Sequence, residues 1–239
     1  MWTLDRLFAA VKELLFPPFC AVCGEPLAEG EELLCTLCRV TAPLTGYEQE
    51  PYNPVLAKFE GLVPVERASA MLFFQQESGW QRLIHDFKYH KAWRVAQQMG
   101  YWYGNRLKHS GLYGDIDRVI PMPLHPLKQL RRGYNQATYL AEGVASALGV
   151  RLERRAVRRH RNTSSQARTP MRHRASNVED AFSVRAAETL RGKHLLLVDD
   201  VLTTGSTMIS LIEAIRCRVP DCRISVAVLA APRAPLGEE

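Results

Sequence analysis

Two adjacent acids end a short apolar run in HLLLVDDVLTTGSTM, residues 194–208. The acids are Asp199 and Asp200. Five small residues follow shortly afterwards: Thr203, Thr204, Gly205, Ser206 and Thr207. Hydroxyl donors and small residues that lead into a helix, with its unpaired first N–H groups, are suited to hold a phosphate group. We therefore interpret residues 203–207 as a phosphate-binding loop.

The two carboxylates need a partner other than the phosphate, because like charges repel. Ribose hydroxyls can donate hydrogen bonds to carboxylates, and a nearby Mg²⁺ ion would reduce the repulsion. Asp199 and Asp200 are therefore expected to hold the hydroxyls of a ribose 5-phosphate. The loop lacks the GK[ST] of a Walker A motif and the dinucleotide G-x-G-x-x-G. The structural alternative is a buried strand that ends in a capped turn.

Four cysteines near the N-terminus form two CxxC pairs with eleven residues between them. They are Cys20, Cys23, Cys35 and Cys38. This spacing lets four thiolates converge on one tetrahedral Zn²⁺ ion, in a closed structural site without an open position for catalysis. Disulfides are the alternative, and a cytoplasmic location disfavours them. Cys217 and Cys222 lack a second pair and are expected to be ordinary thiols, with a redox role as the lesser alternative.

Strands alternate with helices in the rest of the sequence. The pattern predicts strands at 65–74, 118–123, 195–198 and 223–231, and helices at 80–107, 135–149 and 207–218. Such alternation is typical of an α/β protein whose parallel sheet is covered by helices on both faces. Ligands of such sheets bind beyond the carboxyl ends of the strands, where the two aspartates would lie.

The charge is uneven along the chain of 239 residues, which has a net charge of +6. Nine arginines and one acid lie between residues 151 and 174, which indicates either a polyanionic partner or a solvated basic face. Residues 1–15 have the apolar spacing of an amphipathic helix, without the features of a signal peptide. No apolar run approaches the ~18 residues that span a bilayer. We therefore expect a cytoplasmic protein with no membrane span.

The stretch LLLVDDVLTTGST resembles the phosphoribosyl-pyrophosphate (PRPP) signature of type I phosphoribosyltransferases. Three further motifs are IHDFKYHK (84–91), IPMPLHPLKQLRRGYNQA (120–137) and SQARTPMRHRASNVEDAF (165–182). With the CxxC segment, they resemble the ComF/GntX competence-type proteins over nearly the whole chain. The resemblance implies a type I phosphoribosyltransferase fold, a parallel sheet flanked by helices, with a small N-terminal zinc ribbon.

The resemblance also implies roles for individual residues. Asp199 and Asp200 would be the catalytic acids on the ribose of Mg²⁺–PRPP, and residues 203–207 would hold its 5′-phosphate. Other residues would approach the pyrophosphate or belong to a loop that closes over it: Arg131, Arg132, Tyr134, Asn135, Gln136, Gln166, Arg168, Arg174, Asn177 and Lys88. As alternatives, Tyr134 and Asn135 could pack against and cap the next helix, and Lys88 could be a surface residue.

Three regions and two functional hypotheses follow. Residues 1–40 would form the N-terminal helix and zinc ribbon, residues 41–115 a hood-like region, and residues 116–239 the phosphoribosyltransferase core. The first hypothesis is a PRPP-dependent transferase linked to DNA uptake or to the use of DNA as a nutrient. The second is a non-catalytic protein that binds single-stranded DNA and DNA-uptake proteins. In that hypothesis, five aromatic side chains would be exposed and stack on bases, with a place in the core as the alternative: Trp80, Trp93, Tyr101, Trp102 and Tyr103.

Overall fold

The computed structural model describes residues 18–89, 92–160 and 181–233. The helix expected at 1–15 and the loop residues Gln166, Arg168, Arg174 and Asn177 lie outside the described residues, as does the side chain of Lys88. The elements are α1 Thr36–Val40, a 3₁₀ turn Tyr47–Gln49, α2 Pro54–Ala57, β1 Ala68–Phe74, α3 Gly79–Tyr89, α4 Trp93–His109, β2 Arg118–Pro121, α5 Pro126–Arg132, α6 Gln136–Leu148, β3 Arg151–Leu152, β4 Val157–Arg159, β5 Phe182–Val184, α7 Ala187–Leu190, β6 His194–Val201, α8 Ser206–Arg218 and β7 Arg223–Pro232.

Five parallel strands form the central sheet in the order β1-β7-β6-β2-β3. The predicted parallel α/β architecture is therefore confirmed. β1 comes from the region expected to be hood-like, and it pairs with β7 from Ala68↔Val226 to Phe74↔Pro232. The division of the chain into three regions stays a prediction. A separate antiparallel pair, β4 and β5, lies outside this sheet.

Alternating side chains of the central strands fill two hydrophobic cores. On β6, Leu196 and Val198 belong to one core, which α3, α4 and α6 complete. Leu195 and Leu197 belong to the other core, which α8 and the β4–β5 pair cover. All four side chains are fully buried. Because successive residues of a strand point to opposite faces, an uninterrupted apolar run is what a strand between two layers requires.

Glycines let the backbones of α4 and α6 pack directly against each other. A Cβ atom built on Gly100 would lie 2.0 Å from the carbonyl oxygen of Leu140. A Cβ atom on Gly143 would lie 2.0 Å from the carbonyl oxygen of Gln97. Both obstacles are backbone atoms, which cannot rotate away as a side chain can. The position of α6 over the sheet therefore depends on these two residues having no side chain.

The expectation of one continuous helix at 80–107 is wrong, because α3 ends at Tyr89 and α4 begins at Trp93. Neither glycine nor proline marks this break, and apolar residues of both helices face the same core, so the helical periodicity runs through it. The expected exposure of Trp80 and Tyr103 is also wrong. Trp80 is 7% exposed, and Tyr103 is fully buried with its hydroxyl hydrogen-bonded to Ser69.

Within residues 18–89, 92–160 and 181–233, no helix has both the length and the apolar character needed to cross a bilayer.

The glycine contact generates a stability prediction. Gly143→Ala should lower the free energy of unfolding by at least about 2 kcal/mol, because overpacking outweighs the roughly 1 kcal/mol by which alanine favours a helix. Urea denaturation measures the difference. Gly114→Ala is the matched control, since a Cβ atom there meets no atom within 4 Å. Equal stability of the two variants would contradict the proposed role of the close helix contact.

Candidate functional site

A cavity of about 210 Å³ lies at the carboxyl ends of β2 and β6. Its wall includes Met122 and Pro123 just after β2, both aspartates at the end of β6, and the whole segment from Val201 to Met208. This is the edge at which parallel α/β sheets bind their ligands. The structure thus brings seven of the candidate site residues together around one space: Asp199, Asp200, Thr203, Thr204, Gly205, Ser206 and Thr207.

The loop after β6 turns directly into α8. Leu202 is buried, and its N–H donates to the carbonyl oxygen of Ala230 at 3.0 Å, which fixes the start of the loop. Gly205 occupies the N-cap position with φ +81°, a left-handed conformation that favours glycine. It has no side chain with which to cap the helix, and the first residues of α8, Ser206, Thr207 and Met208, line the cavity. Backbone donors and the neighbouring hydroxyls together suit a phosphate.

Backbone hydrogen bonds orient the two carboxylates. Oδ1 of Asp199 accepts from the N–H of Asp200 at 2.9 Å, and Oδ1 of Asp200 accepts from the N–H of Val201 at 3.0 Å. Asp200 is 7% exposed and Asp199 is half-buried. The amide of Gln136 donates to Oδ2 of Asp200 at 3.1 Å. The acids are therefore held in fixed positions, with hydrogen-bond acceptors at the cavity.

Helix α6 brings a second set of polar groups to the same space. The side chain of Asn135 caps this helix by accepting from the N–H of Ala137 at 3.2 Å, and its amide donates to the carbonyl oxygen of Met122 at 2.9 Å. Gln136 accepts a hydrogen bond from Nη1 of Arg132 at 3.3 Å. Asn135 both caps the helix and lines the cavity. A hydrogen-bonded row therefore runs from Arg132 through Gln136 to Asp200.

Two further cations line the cavity that the sequence did not single out, Lys128 and Arg159. Lys128 lies four residues before Arg132 on α5, a spacing that places both on one helix face. Burial first, and then repulsion by Arg159, Arg132 and Arg131, lowers the pKa of Lys128. Burial also lowers the pKa of Arg159, and the opposing attraction of Asp199 raises it. Helical spacing could have identified Lys128, whereas Arg159 is hidden within a run of arginines.

Two of the predicted residues do not line the cavity. Arg131 is exposed on α5 and does not line the cavity. Tyr134 donates its hydroxyl hydrogen bond to the carbonyl oxygen of Phe87, and its ring meets Tyr139 edge-on at 5.7 Å. Tyr134 therefore has the packing contacts that its structural alternative requires.

The four N-terminal cysteines form a second candidate site. Their Sγ atoms all lie within 4.8 Å of one another, and Cys23 and Cys35 are 3.7 Å apart. A tetrahedral ion with Zn–S distances of about 2.3 Å would separate its ligands by about 3.8 Å, so the donor set fits zinc. Burial alone would raise the pKa of Cys20, but backbone hydrogen bonds from Cys23, Cys35 and Val22 outweigh it and lower the pKa to about 6. A thiolate is thereby favoured at Cys20, whereas burial and the neighbouring thiols raise the pKa of Cys38.

Zinc content tests this cluster. We expect one Zn²⁺ ion per chain in the purified protein, and we expect Cys35→Ser to lose the ion and to unfold at a lower temperature, because metal binding adds to folding free energy. Elemental analysis and thermal denaturation measure both effects. Cys217→Ser, at an exposed cysteine outside the cluster, is the control and should keep the metal. Equal zinc in the two variants would exclude Cys35 as a ligand.

Known proteins are similar to this chain along most of its length. The DNA utilization protein YhgH of Escherichia coli is 29% identical over 216 residues, which cover 84% of this chain and 91% of that protein. YhgH of Salmonella typhimurium is 27% identical over 217 residues, with the same coverage. Competence protein F of Haemophilus influenzae is 34% identical over 101 residues, which cover 42% of this chain and 44% of that protein.

Two solved structures align with smaller parts of the chain. The allosteric regulatory enzyme of purine biosynthesis aligns with a TM-score of 0.39 and 18% identity over 55% of this chain and 26% of its own length. The glutamine PRPP amidotransferase from B. subtilis aligns with a TM-score of 0.40 and 15% identity. The alignment covers 60% of this chain and 30% of that protein. Residues 135–239 match the family model of the phosphoribosyl transferase domain. Residues 135–239 therefore form a phosphoribosyl transferase domain, and the similarity of most of the chain to YhgH and of part of it to competence protein F is consistent with a ComF-type phosphoribosyltransferase-like protein.

Proposed function

We propose that the cavity at the end of β6 binds PRPP, or a related ribose 5-phosphate ester, together with Mg²⁺. One observation carries this proposal. A helix-start loop, two oriented carboxylates and three cations surround a single space of about 210 Å³. A site for inorganic phosphate alone would need the loop and the cations but not the acids, whose charge opposes phosphate binding. The acids indicate a ligand that carries hydroxyl donors as well as phosphate groups.

Each part of the ligand has a matching wall. The 5′-phosphate would lie against residues 203–207, where backbone N–H groups and hydroxyls converge. The ribose hydroxyls would donate to Asp199 and Asp200. The pyrophosphate would lie toward Lys128, Arg132 and Arg159, and arginine can bind such a group through two parallel hydrogen bonds. Repulsion among these cations already lowers the pKa of Lys128, and a bound polyanion would relieve that repulsion.

A magnesium ion would reach this site with the ligand. Within the described ranges, the only group of three or more metal-ligating side chains is the cysteine cluster. Mg²⁺ is commonly held by one or two carboxylates together with phosphate oxygens of a substrate. Asp199 and Asp200 provide those carboxylates. When bound, the ion would neutralise charge on the pyrophosphate.

A transferase activity would use the same arrangement. The bond between C1 of the ribose and the pyrophosphate oxygen would break, and the pyrophosphate would leave with the electron pair. The acceptor would donate a new pair to C1 and release a proton. Asp199 and Asp200 would hold the ribose and stabilise positive charge that develops on the ring, while Arg132 and Arg159 stabilise the leaving group. The names of the relatives support a link between this proposed chemistry and DNA utilisation or competence.

PRPP binding tests the role of the acids. The double substitution Asp199→Asn and Asp200→Asn should weaken binding of Mg²⁺–PRPP by at least tenfold, because neutral amides bind Mg²⁺ and ribose hydroxyls less well than carboxylates. Calorimetry measures this affinity. The same variant should bind inorganic phosphate as well as the wild type or better, since the repelling charges are gone. Absence of PRPP binding by the wild-type protein would refute the proposal.

Two neighbouring arginines, one that lines the cavity and one that does not, test the role of the cavity-lining cations in PRPP binding. Arg159→Ala should weaken PRPP binding about tenfold or more, as expected for the loss of a charge-assisted hydrogen bond. Arg158→Ala should leave it within about twofold, because Arg158 is exposed and does not line the cavity. An equal effect of both substitutions would show that general charge, and not the cavity, binds the ligand.

A second candidate function is binding of single-stranded DNA, which the exposed arginines and the names of the relatives favour. Arg131, Arg155 and Arg158 are all exposed. DNA affinity should fall as salt increases, and each arginine replaced by alanine should reduce the slope of log affinity against log salt by about 0.7. Fluorescence anisotropy measures these slopes. Asp199→Asn with Asp200→Asn should retain DNA binding, and no binding at low salt would eliminate this candidate.

A further inference from the structure

A second and larger cavity lies between the cysteine segment and the outer surface of α4 and α6. Its volume is about 530 Å³, which is within the range of about 300–1,000 Å³ typical of ligand sites. It shares no lining residue with the cavity at the end of β6. Leu33 and Leu34 form the wall on the cysteine side, while Gly143 and Ser146 belong to the α6 side. Neither the phosphate loop nor the acid pair contributes to this space.

Two aromatic rings of α4 line this cavity. The ring of Trp102 packs against Trp80, with centroids 6.4 Å apart, and Trp80 is itself buried in the core. Trp102 is therefore a rigid surface, because its support cannot move without disturbing the core. Tyr101 also lines the cavity and is 52% exposed. A supported indole and an exposed phenol are suited to stack on a flat ring.

Three side-chain amides on the same helix surround the aromatic rings. The Nδ2 atom of Asn105 donates to the carbonyl oxygen of Tyr101 at 2.9 Å, so its Oδ1 atom is directed to accept from another group. Gln97 and Gln98 also line the cavity, and their amides have no hydrogen-bond partner among residues 18–89, 92–160 and 181–233. Each amide both donates and accepts. The cavity therefore matches a ligand with donors and acceptors along one edge.

The charges around the two cavities differ. Lys128, Arg132 and Arg159 face the acid pair across the first cavity, a pattern that suits an anion with several charges. The second cavity has one acid, Glu32, and one base, Arg39. Because these two opposite charges offset each other, the cavity does not favour a ligand with a large net charge. Such a lining favours an electrically neutral ligand group.

We propose that this second cavity binds a nucleobase. A nucleobase is flat, aromatic and neutral, and it presents donors and acceptors on one edge, which are the four properties that the rings, the amides and the balanced charges select. The base could come from a free nucleoside or nucleotide, or from a DNA single strand. The proposal does not depend on PRPP binding, because the two cavities have no residue in common.

The experiment uses the full-length protein and ligands without phosphate groups. Adenosine, guanosine, cytidine and thymidine, titrated separately, cannot use the phosphate loop. Calorimetry or ligand-observed NMR should show saturable binding of at least one of them. Tyr101→Ala should weaken it roughly five- to hundredfold, the range expected when one base–aromatic stack is lost. Gln98→Leu, which removes an exposed amide, should change the preference among the four bases.

Two control variants separate this site from others. Tyr52→Ala removes a tyrosine of similar exposure that lines neither cavity, and it should bind the nucleosides as the wild type does. Asp199→Asn with Asp200→Asn should also leave nucleoside affinity unchanged, even if PRPP binding is lost. Circular dichroism verifies that each variant is folded.

A short DNA single strand distinguishes the two sources of the base. Nucleoside binding that requires Tyr101 indicates a site for a free base, nucleoside or nucleotide. Binding of the strand alone, again dependent on Tyr101, indicates a base presented by DNA. If neither binds, or if Tyr52→Ala weakens binding as much as Tyr101→Ala does, the second cavity is not a nucleobase site.

Discussion

The backbone contact between α4 and α6 is the constraint on which both cavities depend. With Gly100 and Gly143 at the crossing, α6 lies close enough for its first turn to reach the carboxyl edge of the sheet. That turn carries Asn135 and Gln136, and the amide of Gln136 holds Asp200. On the outer side of the same crossing, Gly143 lines the second cavity. A side chain at this position would therefore move the walls of two sites at once.

The two cavities differ in the charge of their lining residues, and they therefore suit different ligands. The cavity at the end of β6 combines acids with cations within a small space, so only a ligand with groups of opposite hydrogen-bonding character satisfies all its walls. The α4 cavity has little net charge and relies on ring surfaces and amides. The two proposals together assign the charged, flexible part of a nucleotide-like molecule to one site and a flat, neutral part to the other. The physical chemistry of the two sites is complementary rather than duplicated.

The sequence predicted the parts of the fold that obey a local rule. The apolar run before Asp199 predicted a strand buried on both faces, and the small residues after it predicted a turn into a helix. The CxxC spacing likewise brought four thiols together, as the 4.8 Å cluster confirms. The break between α3 and α4 was missed because neither glycine nor proline lies there and the helical periodicity continues through it. Burial of Tyr103 was missed because an aromatic at helical spacing does not reveal which face is covered.

The residues that line the cavity at the end of β6 could be predicted where they stand in a recognisable motif next to a predicted element. Asn135 and Gln136 stand in a recognisable sequence beside a helix start, and the structure places both at the cavity. Arg159 could not be chosen from its neighbours, since only the pairing of β4 with β5 determines which arginine faces inward. Tyr134 illustrates the opposite case, in which a residue within the motif has packing contacts instead of a place in the cavity wall.

The strand order limits which fragments of the chain contain the complete sheet. The matched domain begins at residue 135, yet β2, which lies between β3 and β6, ends at Pro121. β1, which completes the other side of the sheet, comes earlier still. A fragment that began at residue 135 would leave a gap in the sheet and expose the edges of β3, β6 and β7 to other chains. The residues that match the domain model are therefore fewer than those needed to form the complete five-stranded sheet.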